Sequence, residues 1–172
     1  MEDKLEGCRD LIAGINHMAW LLEIRDKNGV DLYPEIKARV GEYIESPNRD
    51  NKVRMDYIRN FGYYCTESST HNAEYSWFYI KDKYPNLIAD YNIPLDEYPR
   101  RCVSQIEGWE KQRDSILANG EITHERSHEY ASYIMEAIVT NKPYTIGGNV
   151  INNGLIDNLP ADACVEVPCL VT

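Results

Sequence analysis

Between residues 9 and 25 the apolar positions run together in short blocks; from 34 to 140 they recur every three or four residues. Leu11-Ile12-Ala13-Gly14-Ile15 is an apolar run, Asn16-His17 interrupts it, and Ala19-Trp20-Leu21-Leu22-Glu23-Ile24 resumes it. Two β segments around a break fit this pattern, although the first run taken alone also suits a helix. Asp26-Lys27-Asn28-Gly29 then supplies turn chemistry.

Helical spacing follows. Pro34 opens a segment with Ile36, Val40 and Ile44 on one face, and Ser46-Pro47 stops it. Asn48 or Asp50 is placed to cap a second helix carrying Val53, Tyr57 and Ile58, with Gly62 just past its end. Ala73, Trp77 and Ile80 predict a helix over 70–81, and the Pro, Asn and Asp content of 84–99 predicts a loop. Ser104 and Glu107 have the spacing of a capping box for a helix over 104–119, which Asn119-Gly120 would end. A last helix starts after Thr123, aligns Tyr130, Ile134, Ala137 and Ile138, and ends before Pro143. Strand character returns at 144–146 and 165–167. Two strands, several helices, then strands indicate an α+β fold with a mixed sheet.

Composition narrows the partners. The 172 residues carry a net charge of −10, which opposes the clustered cations that nucleic acid or an anionic membrane surface requires. No apolar run approaches the roughly 20 residues of a membrane span, and the polar start Met1-Glu2-Asp3-Lys4 has no signal-peptide core. Five cysteines without a CxxC pair suit reduced thiols and a cytoplasmic location. Thirteen tyrosines against two phenylalanines suit wet pockets or interfaces equally.

Three stretches hold candidate chemistry. His17, beside Asn16, offers a neutral imidazole to a metal; a buried histidine with one hydrogen bond is the plain alternative. In the polar stretch 66–75, His71 and Tyr75 lie four apart on one face if a helix starts near Thr70, and a helix N-terminus would favour a deprotonated phenol; an N-cap with a packed tyrosine is the alternative. Arg126 and His128 begin another helix, where the arginine fork suits sugar hydroxyls or a carboxylate. The Gly- and Asn-rich run 147–154 lacks GxGxxG order and a following helix, so it is no dinucleotide loop; it reads as a turn.

Together these stretches resemble the α-galactosidase branch of glycoside hydrolase family 4. Ala-Gly-Ile-Asn-His-Met-Ala-Trp at 13–20 and Thr-Glu-Ser-Ser-Thr-His-Asn-Ala-Glu-Tyr at 66–75 carry the match. So do Arg-Ser-His-Glu-Tyr-Ala-Ser-Tyr from Arg126 and the run Gly-Asn-Val-Ile-Asn-Asn-Gly-Leu-Ile-Asp-Asn-Leu-Pro-Ala-Asp-Ala-Cys-Val-Glu-Val-Pro at 148–168. The resemblance implies a fold like lactate and malate dehydrogenases, a Rossmann domain followed by a substrate domain. Residues 1–172 then read as a single partial domain of the second kind, the Rossmann domain being absent.

The family departs from the paired-carboxylate scheme of most glycosidases. It implies NAD and a divalent metal, typically Mn2+: hydride leaves C3 of the sugar, a base takes the C2 proton, the leaving group departs, water adds and the hydride returns. Carried onto this sequence, His17 matches the metal-ligand histidine and Asn16 a substrate-contacting asparagine. Tyr75 falls in the region of the base, and Arg126 and Asn149 match positions that bind sugar hydroxyls. The family's cysteine ligand lies further upstream of the histidine than Cys8 does.

The resemblance therefore implies part of an α-galactosidase, with glucosides and uronides as other family substrates, and a homo-oligomer. It implies no activity for the 172 residues alone. A non-catalytic sugar-binding or subunit-association module of the same fold is the alternative. His17 is expected at the mouth of a polar pocket that Arg126 and Asn149 approach, and the strand at 165–171 is expected to be paired within a sheet.

Overall fold

The computed structural model describes residues 7–47, 49–119, 126–127 and 129–172. Both apolar blocks at the start of the chain are strands: β1 spans Arg9–Ile15 and β2 spans Met18–Arg25. They form an antiparallel hairpin from Arg9↔Arg25 to Ile15↔Met18, with a bulge between Leu11 and Ile12. Gly14 faces Ala19 with a φ of 148°, and a Cβ there would stand 2.9 Å from the Ala19 Cα. Only glycine meets both conditions. The turn at 26–29 closes with the Gly29 N–H on the Asp26 carbonyl, while the Asp26 carboxylate accepts from the Asn28 and Val30 N–H groups.

Helix α1 spans Tyr33–Glu45, with Pro34 in its first turn, and ends at Ser46. Helix α2 spans Lys52–Phe61. Its N-cap is Asn51, not Asp50, and Asn48 lies outside the described residues. Gly62 closes α2 in the left-handed conformation, with its N–H on the Ile58 carbonyl. A short strand β3, Tyr64–Cys65, pairs with Trp20 and Leu21 of β2.

Helix α3 spans only Ser69–Tyr75, shorter than the helix predicted over 70–81. Ser76 is extended, and Trp77 is 79% exposed. The Ala73-Trp77-Ile80 spacing therefore lines no helix face; Tyr79 is the residue that goes inward, donating its hydroxyl to Asp56 at 2.8 Å. The stretch 84–99, read as loop, contains helix α4, Asn86–Asp90, and the start of α5, Glu97–Asn119. Ser104 and Glu107 lie inside α5 and form no capping box at its start. Pro99 is tolerated because it sits in the first turn, where no intrahelical N–H partner is lost. Helix α6 spans Tyr130–Thr140; the expected start after Thr123 and the Gly120 stop lie outside the described residues.

Strand β4, Tyr144–Ile151, takes in much of the segment read as a turn, and β5 spans Cys164–Val171. The sheet order is β3-β2-β1-β5-β4. All four pairings are antiparallel, so the α+β class holds while the mixed sheet expected within it is an antiparallel one. The expected pairing of 165–171 is present: β5 joins β4 along its length and meets β1 at Gly14↔Glu166. The core gathers where α2 and α3 cover β2 and β3. Val53, Tyr57, Cys65, Ala73, Tyr79 and Ile93 are buried there, with Met18 and Trp20 packed against them.

Candidate functional site

Asn16 and His17 form the two-residue turn between β1 and β2. His17 has a φ of 26°, an uncommon conformation for a residue with a Cβ. The neighbouring loop holds this tip. The Thr66 N–H bonds the Ala19 carbonyl at 2.9 Å, and the Thr66 hydroxyl reaches the His17 carbonyl at 3.4 Å. The Glu67 Oε2 lies 3.1 Å from the His17 Nδ1; the Glu67 side chain is 11% exposed and the imidazole 75%.

That loop is itself fixed from two helices. Arg54 of α2 donates to the Cys65 and Thr66 carbonyls at 2.9 and 3.0 Å. Asn72 of α3, fully buried, donates to the Glu67 carbonyl at 2.8 Å. Ser68 caps α3, accepting the His71 N–H at 3.2 Å. Burial pulls the Arg54 guanidinium below its usual pKa, against the pull of Tyr64, Cys65 and Glu67. Burial also raises the Cys65 thiol, which keeps it protonated.

The other side of the tip faces β5. The Asn16 Nδ2 donates to Glu166 Oε2 at 2.8 Å. Glu166 stands opposite Gly14 on one flank and Asn149 on the other. Directly opposed residues share a face of the sheet, so Asn149 and Glu166 project together. Gly147 leaves room for this: a Cβ there would lie 3.2 Å from Glu166 Oε1 and 3.9 Å from the Tyr130 hydroxyl. Asn16 thus bonds the residue that pairs with Asn149 in the sheet, Glu166, which the sequence reading did not single out. Its signal was present in the Val-Glu-Val alternation of β5, a carboxylate between two apolar neighbours.

Arg126 and Tyr75 are engaged elsewhere. The Arg126 guanidinium lies 3.6 Å over the Tyr133 ring, with Nε on the Ser132 hydroxyl at 3.0 Å and Nη1 on Glu136 at 2.6 Å. All three partners belong to α6. Tyr75 stacks on His71, with ring centroids 5.5 Å apart, as their four-residue spacing implies. It is the last residue of α3, however, and 64% exposed. The helix N-terminus expected to favour its phenolate is at Ser69, and the carbonyl end that Tyr75 occupies has the opposite polarity. His128 lies outside the described residues.

His17 fits a metal as a single ligand, since an accessible imidazole whose Nδ1 faces a carboxylate is the usual arrangement of a metal-bound histidine. Among the described residues no group of three or more His, Cys, Asp or Glu side chains could hold a metal ion, so His17 would be one limb of a site completed by other groups. For NAD the fit fails on the chain's own pattern: GxGxxG order is absent from the sequence, and the sheet's pairings are all antiparallel. No helix among the described residues is long and apolar enough to cross a membrane.

Comparisons with known proteins bear on the family and the fold. An α-galactosidase of Bacillus subtilis (strain 168) is 59% identical over 165 residues, covering 96% of this chain and 38% of the relative. The crystal structure of the Bacillus subtilis protein lplD, named as a glucosidase, superposes with a TM-score of 0.78 at 20% identity, over 97% of this chain and 40% of that one. A 6-phospho-α-glucosidase from gut microorganisms, solved in complex with NAD and Mn2+, gives a TM-score of 0.62 at 23% identity, over 96% of this chain and 40% of that chain. This chain thus spans well under half the length of these relatives. Residues 12–172 match the family 4 glycosyl hydrolase C-terminal domain, and with that match over nearly its whole length the chain belongs to glycosyl hydrolase family 4.

Proposed function

We propose that these 172 residues are the substrate-side part of an α-glycosidase, an α-galactosidase by the nature of the 59%-identical relative. The observation that carries this is the Asn16-His17 tip. It is gripped by Thr66 and Glu67 on one side and tied through Glu166 to the β4–β5 surface on the other. The chain's role is to bind and orient a sugar ring. Asn16 and Asn149 offer both donors and acceptors to vicinal hydroxyls, and Glu166 accepts from either. Arg126 reaches a sugar only by leaving Glu136, and it serves α6 otherwise. Tyr75, which the resemblance puts in the region of the base, is exposed and stacked on His71, and it would take the C2 proton without support from the helix end it occupies. A divalent metal bound at His17, with NAD supplied beyond these residues, would provide charge stabilisation and hydride chemistry. The five free cysteines suit a cytoplasmic setting.

The test is a titration of 15N-labelled chain with methyl α-galactoside in the presence of Mg2+, a diamagnetic divalent ion that leaves nearby signals visible. Expected are shifts at Asn16, Thr66 and Asn149, larger for galactoside than for glucoside. Shifts scattered over the molecule, or none at millimolar sugar, would contradict the sugar-binding face.

The subunit-association reading has its own support. Helix α5 is 23 residues long, about 34 Å, and exposes Val103, Ile106, Trp109 and Leu117. Contiguous apolar surface of this kind marks interaction sites on soluble proteins. Both roles are compatible in one chain.

A further inference from the structure

Two glycines stand side by side in β4 and clear space on opposite faces of the sheet. A Cβ on Gly148 would meet the Cys169 Sγ at 2.7 Å, on the face that holds the buried Val165. Gly147 faces the other way, with Asn149 and Glu166. Its φ is not positive, so backbone conformation does not call for glycine there. The missing side chain instead leaves room below two polar atoms. A Cβ would lie 3.2 Å from the Glu166 Oε1 and 3.9 Å from the Tyr130 hydroxyl. Among the described residues neither atom has a hydrogen-bond partner, since Glu166 receives Asn16 on its Oε2. Tyr130 is held in this place from α6, which it opens. One turn on, Tyr133 stacks on Tyr144 of β4, with ring centroids 5.0 Å apart and planes 13° from parallel. Arg126 lies over the same Tyr133 ring. The stack fixes the start of α6 against β4, three residues before Gly147, and so sets where the Tyr130 hydroxyl stands.

We infer that Tyr130 is a specificity-determining residue, whose hydroxyl and the Glu166 Oε1 together take one sugar hydroxyl above Gly147. This rests on the reading of the Asn16, Asn149 and Glu166 face as the sugar-binding one, and it names a further contact of that face. The two groups ask for different things of one oxygen. An ionised carboxylate only accepts, so the sugar hydroxyl gives its proton to Glu166, and the Tyr130 hydroxyl donates to a lone pair of the same sugar oxygen. A sugar lacking that hydroxyl brings the carboxylate no donor, and sites built to hydrogen-bond a hydroxyl discriminate against analogues without it.

The experiment titrates the whole 15N-labelled chain, wild type beside Tyr130→Phe, with methyl α-galactoside and with each of its monodeoxy analogues. Phenylalanine keeps the ring of this half-exposed residue and removes only the hydroxyl, so the variant's spectrum should match the wild type away from residue 130. The Kd for the parent sugar should rise roughly 2–10-fold in Tyr130→Phe, the worth of one neutral hydrogen bond. A single deoxy analogue should bind both proteins equally, because the contact it lacks is the one the variant has lost, and it identifies the hydroxyl. The other analogues should keep the difference. A loss of the same size for every analogue would mean that Tyr130 only supports the fold, and it overturns the inference. So does an equal Kd for the parent sugar in both proteins while the Asn16 and Asn149 signals still shift; that result leaves the sugar-binding face standing. Wild-type signals that no sugar shifts would contradict both the inference and the reading it rests on.

Discussion

The region built from β2, β3, α2 and α3 and the region built from α5 and α6 treat their large side chains in opposite ways. In the first, Val53, Tyr57, Cys65, Ala73 and Tyr79 are buried, and most polar side chains have partners: Asp56 receives Tyr79, Arg59 and Asn60, and Arg54 and the Asn72 Nδ2 donate to loop carbonyls, while the Asn72 Oδ1 is buried without a hydrogen bond. In the second, Trp109 is 58% exposed, Leu117 77% and Val139 84%. One region contains its own reasons to fold, and it is the one that presents His17. The other carries an apolar pattern that no buried cluster among the described residues covers. A periodic apolar face therefore does not by itself show that the chain's own core packs there.

The largest stability effect is expected within the self-sufficient region. Asp56→Ala strands the buried Tyr79 hydroxyl and releases Arg59 and Asn60. It should cost about 3 kcal/mol by chemical denaturation. Trp109→Ser in α5 should cost about 0.5 kcal/mol or less. Equal losses would erase the contrast between the regions.

Alkaline pH sharpens the same comparison. Burial, with the Asp56 contact adding to it, raises the Tyr79 pKa; burial also raises Tyr57, Tyr33 and Tyr64. The unfolded chain ionises these phenols near the ordinary value of about 10 and the folded chain above it. Their contribution is complete below that pH and is lost as pH rises toward the folded values. Thermal melting should therefore fall steeply above about pH 10, and Tyr79→Phe should flatten the fall. A melting temperature level to pH 11 would contradict the buried phenols.

Association is expected from the second region. Light scattering at micromolar concentration should give at least a dimer, and Trp109→Ser with Leu117→Ser should shift it toward a species near 19.9 kDa. A wild-type monomer would show that the exposed faces of α5 and α6 stand without a partner. A more local effect is expected at Gly147→Ala, whose Cβ would crowd Glu166 at 3.2 Å. It should cost about 1 kcal/mol while shifting the Asn16 side-chain amide signals.

What the sequence disclosed follows the same divide. The hairpin around Asn16-His17, the Pro34 start, the Gly62 stop and the pairing of 165–171 were legible, because each depends on local chemistry or strict alternation. The helix over 70–81 was overcalled because Trp77 and Ile80 repeat at helical spacing without a core to bury them. The reach of α5 back to Glu97 was hidden by Pro99, which a first turn tolerates. At the candidate site, Asn16, His17 and Asn149 were singled out through a resemblance, whereas Glu67, and the partner of the alternation-marked Glu166, emerge only from geometry. Each is a glutamate in a run where its partner lies 50 or 150 positions away. No spacing rule reaches that far. Strand directions were equally out of reach, since alternation is blind to which way a neighbour runs.

The proposal that this chain carries the sugar- and metal-facing part of an α-galactosidase is tested most directly by a chimera. The 172 residues replace the corresponding 38% of the Bacillus subtilis α-galactosidase, and hydrolysis of an aryl α-galactoside is followed with NAD, Mn2+ and a reductant supplied. The expected result is turnover by the chimera, its loss in the His17→Ala chimera, and none by the 172 residues alone. A folded chimera without turnover, one that prefers a 6-phospho-α-glucoside, or turnover by the isolated chain would contradict the account.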